Sequence, residues 1–187
     1  MRVIAGKFRS RRLKGPGILR LRPTSDRLRE TLFNILGPAV EDSLFVDLYA
    51  GTGAIGIEAI SRGTRQAILI ESQAKAAKLV RENLAALGIR AGAELLEMDA
   101  LAGLGKLARR RLVADFIFLD PPYQKNEEHV RVLEFLDASH LIAPRGTVIV
   151  EHHWRAGLPE RFDRLECTRH VEQGDAVLSF YRLAVAA

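Results

Sequence analysis

The apolar positions of this chain fall into two rhythms. After Pro23-Thr24-Ser25, residues Leu28, Leu32, Ile35 and Leu36 recur at i, i+4, i+7 and i+8. That is one face of a helix, and Gly37-Pro38 closes it. From Leu44 to about Leu158, short apolar runs alternate with helical stretches. The runs Leu44–Tyr49, Gln66–Ile70, Ala93–Met98, Ala114–Leu119 and Thr147–Val150 read as strands. The stretches Ala54–Arg62, Ala74–Leu87, Leu101–Arg110 and Asn126–Asp137 read as helices. In the second of these, Ala77, Val80, Leu84 and Leu87 share a face. Such alternation predicts βαβ units, and so an α/β fold with a parallel sheet covered by helices on both faces. The tail breaks the rhythm. Ala176–Leu183 reads as a strand and Arg164–Val171 as another, with no helix between them. They predict an antiparallel pair at a sheet edge.

The chain has 187 residues, enough for one domain with a small appendage. The division expected is a basic extension over 1–22 and a main domain over 23–187. Apolar residues at 48% and charged residues at 27% suit a globular protein and exclude a disulfide scaffold or low-complexity disorder. Cys167 is the single cysteine, so no intramolecular disulfide forms, and one thiol is not expected to build a thiolate metal site. No metal is expected. No run approaches the ~18 apolar residues of a membrane span. A second basic cluster falls where a secretory signal would have its apolar core. The expected compartment is the cytoplasm.

Charge is distributed unevenly. Residues 1–30 hold ten basic and two acidic residues, a net +8, while the other 157 sum to −3. A local patch of this kind attracts a polyanion through counterion release. Val3, Ile4, Phe8 and Leu13 are interleaved with the charges, as are Ile18, Leu19 and Leu21, so the segment reads as folded. A short hairpin is expected, with Gly15-Pro16-Gly17 as a break. The candidate RNA contacts are Arg2, Lys7, Arg9, Arg11, Arg12, Lys14, Arg22, Arg27 and Arg29. Arg109-Arg110-Arg111 reads first as cations suited to a helix's last turn.

In open parallel sheets, ligands bind outside the carboxyl ends of the strands. The run Phe45-Val-Asp-Leu-Tyr-Ala-Gly-Thr-Gly-Ala-Ile-Gly56 carries a strand into a glycine-rich turn and a helix. Such a turn alone also fits a nicotinamide dinucleotide. Asp47 discriminates, because a carboxylate there would repel a pyrophosphate but suits the sulfonium and amino group of S-adenosylmethionine. Glu71 ends the next strand and can accept both ribose hydroxyls, or be a solvated strand end. Asp99, after the third strand, can meet the adenine edge or cap a helix. The cofactor-binding candidates are Asp47, Tyr49, Gly51, Gly53, Glu71, Asp99 and Ala100.

The fourth strand delivers Asp120-Pro121-Pro122-Tyr123. Two prolines fix φ and leave carbonyls free to accept. A carboxylate and a rigid carbonyl can hold the two hydrogens of an exocyclic amine, and Tyr123 offers a stacking face. Holding those hydrogens localises a lone pair otherwise delocalised into the ring, so the nitrogen can attack the sulfonium methyl in line. A paired base must be flipped or already unpaired to reach such a pocket. No serine sits in a nucleophile elbow and no lysine follows the glycines. His152 and His153 are adjacent on a strand and point oppositely, so no metal pair is expected there. Trp154 is expected to pack.

These stretches resemble RsmD-type methyltransferases. The opening from Arg2 to Leu13 looks like the family's basic extension. Leu21-Arg-Pro-Thr-Ser-Asp-Arg-Leu-Arg-Glu-Thr-Leu-Phe-Asn-Ile-Leu36 is similar to its most distinctive block, and Asp47 to Gly56 and Asp120 to Tyr123 match its motifs. The resemblance reaches Gly174-Asp175, although Glu172-Gln173 stands where the family has an aromatic. It implies a Rossmann-like class I methyltransferase fold, a mostly parallel seven-stranded sheet with an antiparallel C-terminal hairpin. It also implies methyl transfer from S-adenosylmethionine, giving S-adenosylhomocysteine, to the exocyclic N2 of a guanine in 16S rRNA. The implied partner is a partly assembled small ribosomal subunit, bound by a monomer. The competing readings are an adenine-N6 methyltransferase of DNA or RNA, a non-catalytic RNA-binding assembly factor, and, more distantly, a dehydrogenase.

Overall fold

A computed structural model describes residues 1–15, 17, 25–121 and 126–184. The order is α1 (Asp26–Leu36), a 3-10 turn at Gly37–Val40, β1 (Leu44–Asp47), α2 (Ala54–Ser61), β2 (Gln66–Ile70), α3 (Ala74–Ala86) and β3 (Ala93–Leu96). Then come α4 (Ala100–Arg109), β4 (Ala114–Leu119), α5 (Asn126–Asp137), β5 (Ile142–His153), β6 (Leu165–Gln173) and β7 (Ala176–Leu183). The seven strands make a sheet in the order β3-β2-β1-β4-β5-β7-β6. The chain divides into two compact units, Met1–Ala100 and Leu101–Ala187.

In the first unit, β1 pairs with β2 and β2 with β3, both parallel. All four residues of β1 are buried, as expected of a strand covered on both sides. Ser25 caps α1, its Oγ accepting from the Leu28 N–H. Leu28, Leu32 and Leu36 are buried as the spacing predicts, and Arg29 and Phe33 lie on the same buried face.

The basic segment is built into this unit. Arg2 and Arg12 form an antiparallel bridge, the Val3 N–H donates to the Arg11 carbonyl, and Val3 and Leu13 are buried in the core beside Ile57 and Val80. The chain therefore reverses between Val3 and Ser10, ahead of the break that Gly15-Pro16-Gly17 suggests. Pro16, Ile18, Leu19, Leu21 and Arg22 lie outside the described residues. The fully buried Glu58 of α2 holds the reversal. Its carboxylate accepts the Ile4 N–H at 2.8 Å, the Ala5 N–H at 3.0 Å and Arg62 Nε at 2.8 Å. Gly6 is needed here. Its φ is +79°, and a Cβ would fall 1.8 Å from the Ser61 carbonyl oxygen. Replacing Glu58 by glutamine keeps the volume but loses the charge assistance on three donors. We expect a loss of about 1–2 kcal/mol in urea unfolding, together with faster hydrogen exchange at the Ile4 and Ala5 amides.

In the second unit, β4 and β5 are parallel, and β5–β7 and β6–β7 are antiparallel. The expected tail pair forms, with β6 at the edge and Gly174-Asp175 as its two-residue turn. The strand β5 runs well beyond the expected Thr147–Val150. The pairing jumps from Ala114–Ile142 to Phe116–Thr147, so Ala143–Gly146 bulges out of the ladder. Pro144 and Gly146 sit within this bulge, where a strand tolerates such residues. Trp154, just past β5, does not pack inward as expected. It is 53% exposed, stacked on the His153 ring with the Arg155 guanidinium over it, because the chain leaves the sheet at that point.

Candidate active site

Every cofactor-binding candidate lies in the first unit. The strand β1 ends at Asp47, whose side chain is 1% exposed. One carboxylate oxygen, Oδ1, accepts the Tyr49 N–H at 3.4 Å. The other, Oδ2, is buried with no hydrogen-bond partner among the described residues. Burial pushes this carboxyl up to about 7, and the nearby Glu71 adds to the rise, while N–H groups of Tyr49 and Gly56 oppose it. An orphaned buried acceptor is costly unless a ligand meets it. A cationic ammonium or sulfonium would both satisfy Oδ2 and restore its charge.

The glycine turn follows. Gly51 and Gly53 have φ of +55° and +80°. At Gly51 the nearest atom to an added Cβ is the Tyr49 carbonyl oxygen, 3.9 Å away, so the loop is open where a ligand would approach. At Gly53 the side chains of Val80, Ile57 and Leu69 lie 3.3–3.5 Å from that position, so this glycine also serves packing. Glu71, 7% exposed at the end of β2, accepts the Gly51 N–H and the Gln73 N–H, each at 2.8 Å. It thus ties the glycine turn to the start of α3, with lone pairs to spare for two ribose hydroxyls. Tyr49 is half-buried, Asp99 is exposed just before α4, and Ala100 is buried as its first residue. These positions suit an adenosyl group bearing a cationic sulfonium, and they would hold S-adenosylmethionine.

Sequence reasoning misses Asn83. Buried on α3, it donates from Nδ2 to the carbonyls of Thr52 at 2.9 Å and Lys14 at 3.2 Å, and its Oδ1 accepts the Lys14 N–H. One amide therefore joins the glycine turn to the basic segment. Asparagine at this position reads as an ordinary polar helix residue, so no local signal marks it.

In the second unit, Asp120 follows β4 directly and is half-buried, and Pro121 is buried. Pro122 and Tyr123 lie outside the described residues.

The basic candidates Arg2, Lys7, Arg9, Arg11, Arg12, Lys14 and Arg27 reach the surface. Lys14 pairs with Glu82 at 2.9 Å, and Arg2 lies 4.0 Å from Asp26. An open cavity of about 580 Å³ is lined by Met1, Arg2, Ser10, Arg12, Leu13 and Asp26. Phe8 packs against the core, with the Lys7 ammonium over its ring. Arg29 is a correction. It is fully buried, because one residue after Leu28 and three before Leu32 it falls on the inner face of α1. Its Nη2 donates to the Arg2 carbonyl and to Asp26 Oδ1, both at 2.7 Å, and its guanidinium anchors the basic segment instead of presenting itself to RNA.

A parallel sheet with an antiparallel end, a glycine turn after the first strand and acidic strand ends define a class I S-adenosylmethionine-dependent methyltransferase. Comparison with known proteins agrees. The family model described as "Conserved hypothetical protein 95" matches residues 1–182. Ribosomal RNA small subunit methyltransferase D of Escherichia coli is 37% identical over 162 residues, 85% of this chain and 78% of that protein. The putative rRNA methyltransferase YlbH of Bacillus subtilis is 35% identical over 182 residues, 97% of this chain and 98% of that protein. The solved structure of the putative methyltransferase yhhF from Escherichia coli superposes with a TM-score of 0.85 at 29% identity, covering 98% of this chain and 97% of that one. By fold alone, at 17% identity and a TM-score of 0.65, the chain is similar to an RNA methyltransferase from Salinibacter ruber solved with S-adenosyl-L-homocysteine, over 89% and 96% of the two chains. The chain belongs to the RsmD family of S-adenosylmethionine-dependent rRNA methyltransferases. No helix among the described residues is long and apolar enough to cross a membrane.

Proposed function

We propose that this protein methylates the exocyclic N2 of a guanine in 16S rRNA, acting in the cytoplasm on a partly assembled small ribosomal subunit. The observation that carries the reading is Asp120-Pro121-Pro122-Tyr123, which follows β4 in a chain of this family. The cofactor supplies a methyl group already activated on a sulfonium. Asp47 compensates the cofactor's positive charge, Glu71 takes its ribose hydroxyls, and Asp99 and Ala100 meet the adenine. Asp120 and a proline carbonyl accept the two amine hydrogens. Asp120 offsets the positive charge that grows on nitrogen as the new bond to the methyl forms and the methyl's bond to sulfur breaks, and one of the amine protons then leaves to solvent. Tyr123 stacks on the guanine.

The test is methyl transfer from labelled S-adenosylmethionine to undermodified small subunits and to free 16S rRNA, with the product nucleoside identified by mass spectrometry. N2-methylguanosine is the expected product, and subunits the better acceptor. N6-methyladenosine would overturn the base assignment, and cofactor binding without transfer to either acceptor would overturn rRNA as substrate.

On this reading the RNA lies along the basic segment, against Arg9, Arg11 and Arg12. Reversing all three charges is expected to weaken RNA binding. It should also flatten the slope of log K against log salt by about 2–3, at roughly 0.7–0.9 for each phosphate no longer neutralised. An unchanged slope would take this segment out of the interface.

A further inference from the structure

The second unit holds a cluster that methyl transfer does not use. Glu160 lies in the loop before β6, and Cys167 and His170 lie on β6 itself. Three residues apart, Cys167 and His170 would face opposite sides of a regular strand. The register shifts between them, with Cys167 opposite Tyr181 and Arg169 opposite Phe180, so Thr168 is an extra residue. This bulge turns both side chains to the same side. Cys167 Sγ then lies 3.5 Å from His170 Nε2, which is 3.1 Å and 3.2 Å from Glu160 Oε1 and Oε2. One donor atom from each residue can be chosen so that all three lie within 4.8 Å of one another. A tetrahedral zinc ion, with bonds of ~2.3 Å to sulfur and ~2.0–2.2 Å to nitrogen and oxygen, holds its sulfur and nitrogen about 3.6 Å apart and its nitrogen and oxygen about 3.3 Å apart. The side chains already stand at nearly those separations.

Hydrogen bonding sets the donor atoms. His152 is buried, and its Nδ1 is 2.9 Å from the His153 carbonyl, which can only accept, so Nδ1 carries the hydrogen. Burial holds the proton affinity of His152 below the usual histidine value, which favours the neutral ring. Its bare Nε2 takes the hydroxyl hydrogen of Ser179 at 2.7 Å. Ser179 Oγ therefore accepts from His170 Nδ1 at 2.8 Å. With Nδ1 turned to Ser179, Nε2 is the ring atom of His170 that faces the Glu160 carboxylate and the Cys167 thiol, so the three donor atoms converge. A ring nitrogen fixed by its other N–H is the usual state of a metal-bound histidine. Glu160 is held as well. Its carbonyl accepts the Cys167 N–H at 2.7 Å, and the preceding Pro159 carbonyl accepts the Tyr181 hydroxyl at 2.9 Å.

We propose that Glu160, Cys167 and His170 bind one zinc-like divalent cation, which fastens the loop before β6 to this edge strand. The ion takes the thiolate, Nε2 and a carboxylate oxygen, with solvent in the fourth position, and the thiol proton leaves to water.

The test uses the purified full chain, stripped of metal and titrated with Co²⁺ as a spectroscopic probe. We expect a thiolate-to-cobalt charge-transfer band that saturates at one ion per chain, its displacement by Zn²⁺, and a higher Tm with Zn²⁺. The Cys167→Ser variant loses the band. Glu160→Gln, an exposed change that leaves the fold intact, weakens Zn²⁺ binding at least ~10-fold. Ser179→Ala keeps the band but weakens binding about 10–100-fold. Three results would overturn the site: no band with the wild-type chain, equal Zn²⁺ affinity in the Glu160→Gln variant, or saturation at one ion per two chains.

Discussion

Replacing Asp120 by alanine lowers turnover by about 10²–10³-fold while cofactor affinity stays within ~3-fold of wild type. The magnitude is that of removing one preorganised group from a transition state whose charge it stabilises. The split follows from the different roles proposed for the two sets of groups. The cofactor candidates belong to the unit Met1–Ala100, and Asp120 follows β4 in the unit Leu101–Ala187. On the proposed mechanism, losing the carboxylate removes an acceptor for the amine and leaves Asp47 and Glu71 as they are. Isothermal titration of S-adenosylmethionine, beside single-turnover methyl transfer, separates the two quantities. A parallel loss of cofactor binding would place Asp120 among the cofactor residues instead.

The Asp47→Asn variant binds cofactor at least ~30-fold more weakly, and its cofactor-free form is more stable than wild type above neutral pH. Removing one partner of a buried, hydrogen-bonded charge pair costs about 2–5 kcal/mol of affinity. The stability gain has the opposite origin. Burial raises the Asp47 carboxyl from 3.8 in the unfolded chain to about 7 in the fold. The folded protein thus holds a proton that the unfolded chain gives up, and wild-type stability falls as pH rises through that window. The full shift corresponds to a ceiling of about 4 kcal/mol. Asparagine carries no such penalty, so the variant melts several degrees higher at pH 8 and gains almost nothing near pH 4. Cofactor affinity of the wild type should also weaken up to about tenfold per unit below pH 7, because the cation selects the ionised carboxylate. Thermal melts and titrations across pH 4–8 check both. A variant with an unchanged melting profile would show that Asp47 is not buried with its charge uncompensated.

Much of the fold is legible in the chain. Gln66–Ile70, Ala114–Leu119, Asn126–Asp137 and Ala176–Leu183 form as their periodicity predicts. Each is a local pattern, in which spacing alone decides which face is apolar. Asp47, Glu71 and Asp99 stand out in the sequence for a related reason. They close or follow apolar runs, and a parallel strand presents its carboxyl end to the ligand side. Arg29 misleads because charge ordinarily means exposure, and only the packing of α1 shows that its guanidinium is spent on Arg2 and Asp26. The strand β5 reads short because proline and glycine mark breaks unless a neighbouring strand absorbs them in a bulge.

The order of elements, the parallel core with its antiparallel end, the glycine turn and the acids offered at strand ends all follow from local pattern. Hydrophobic period and turn chemistry act over a few residues and need no partner to be read. What depends on distant segments meeting is settled only in three dimensions. Glu58 gathers the amides of Ile4 and Ala5, more than fifty residues away in the chain, and Asn83 joins Lys14 to the glycine turn. A single extra residue in β6 turns Cys167 and His170 to one side. Burial makes Asp47 an acid poised near neutrality. Registers, burial and desolvation belong to the assembled chain, because each is set by atoms that the local sequence does not contain.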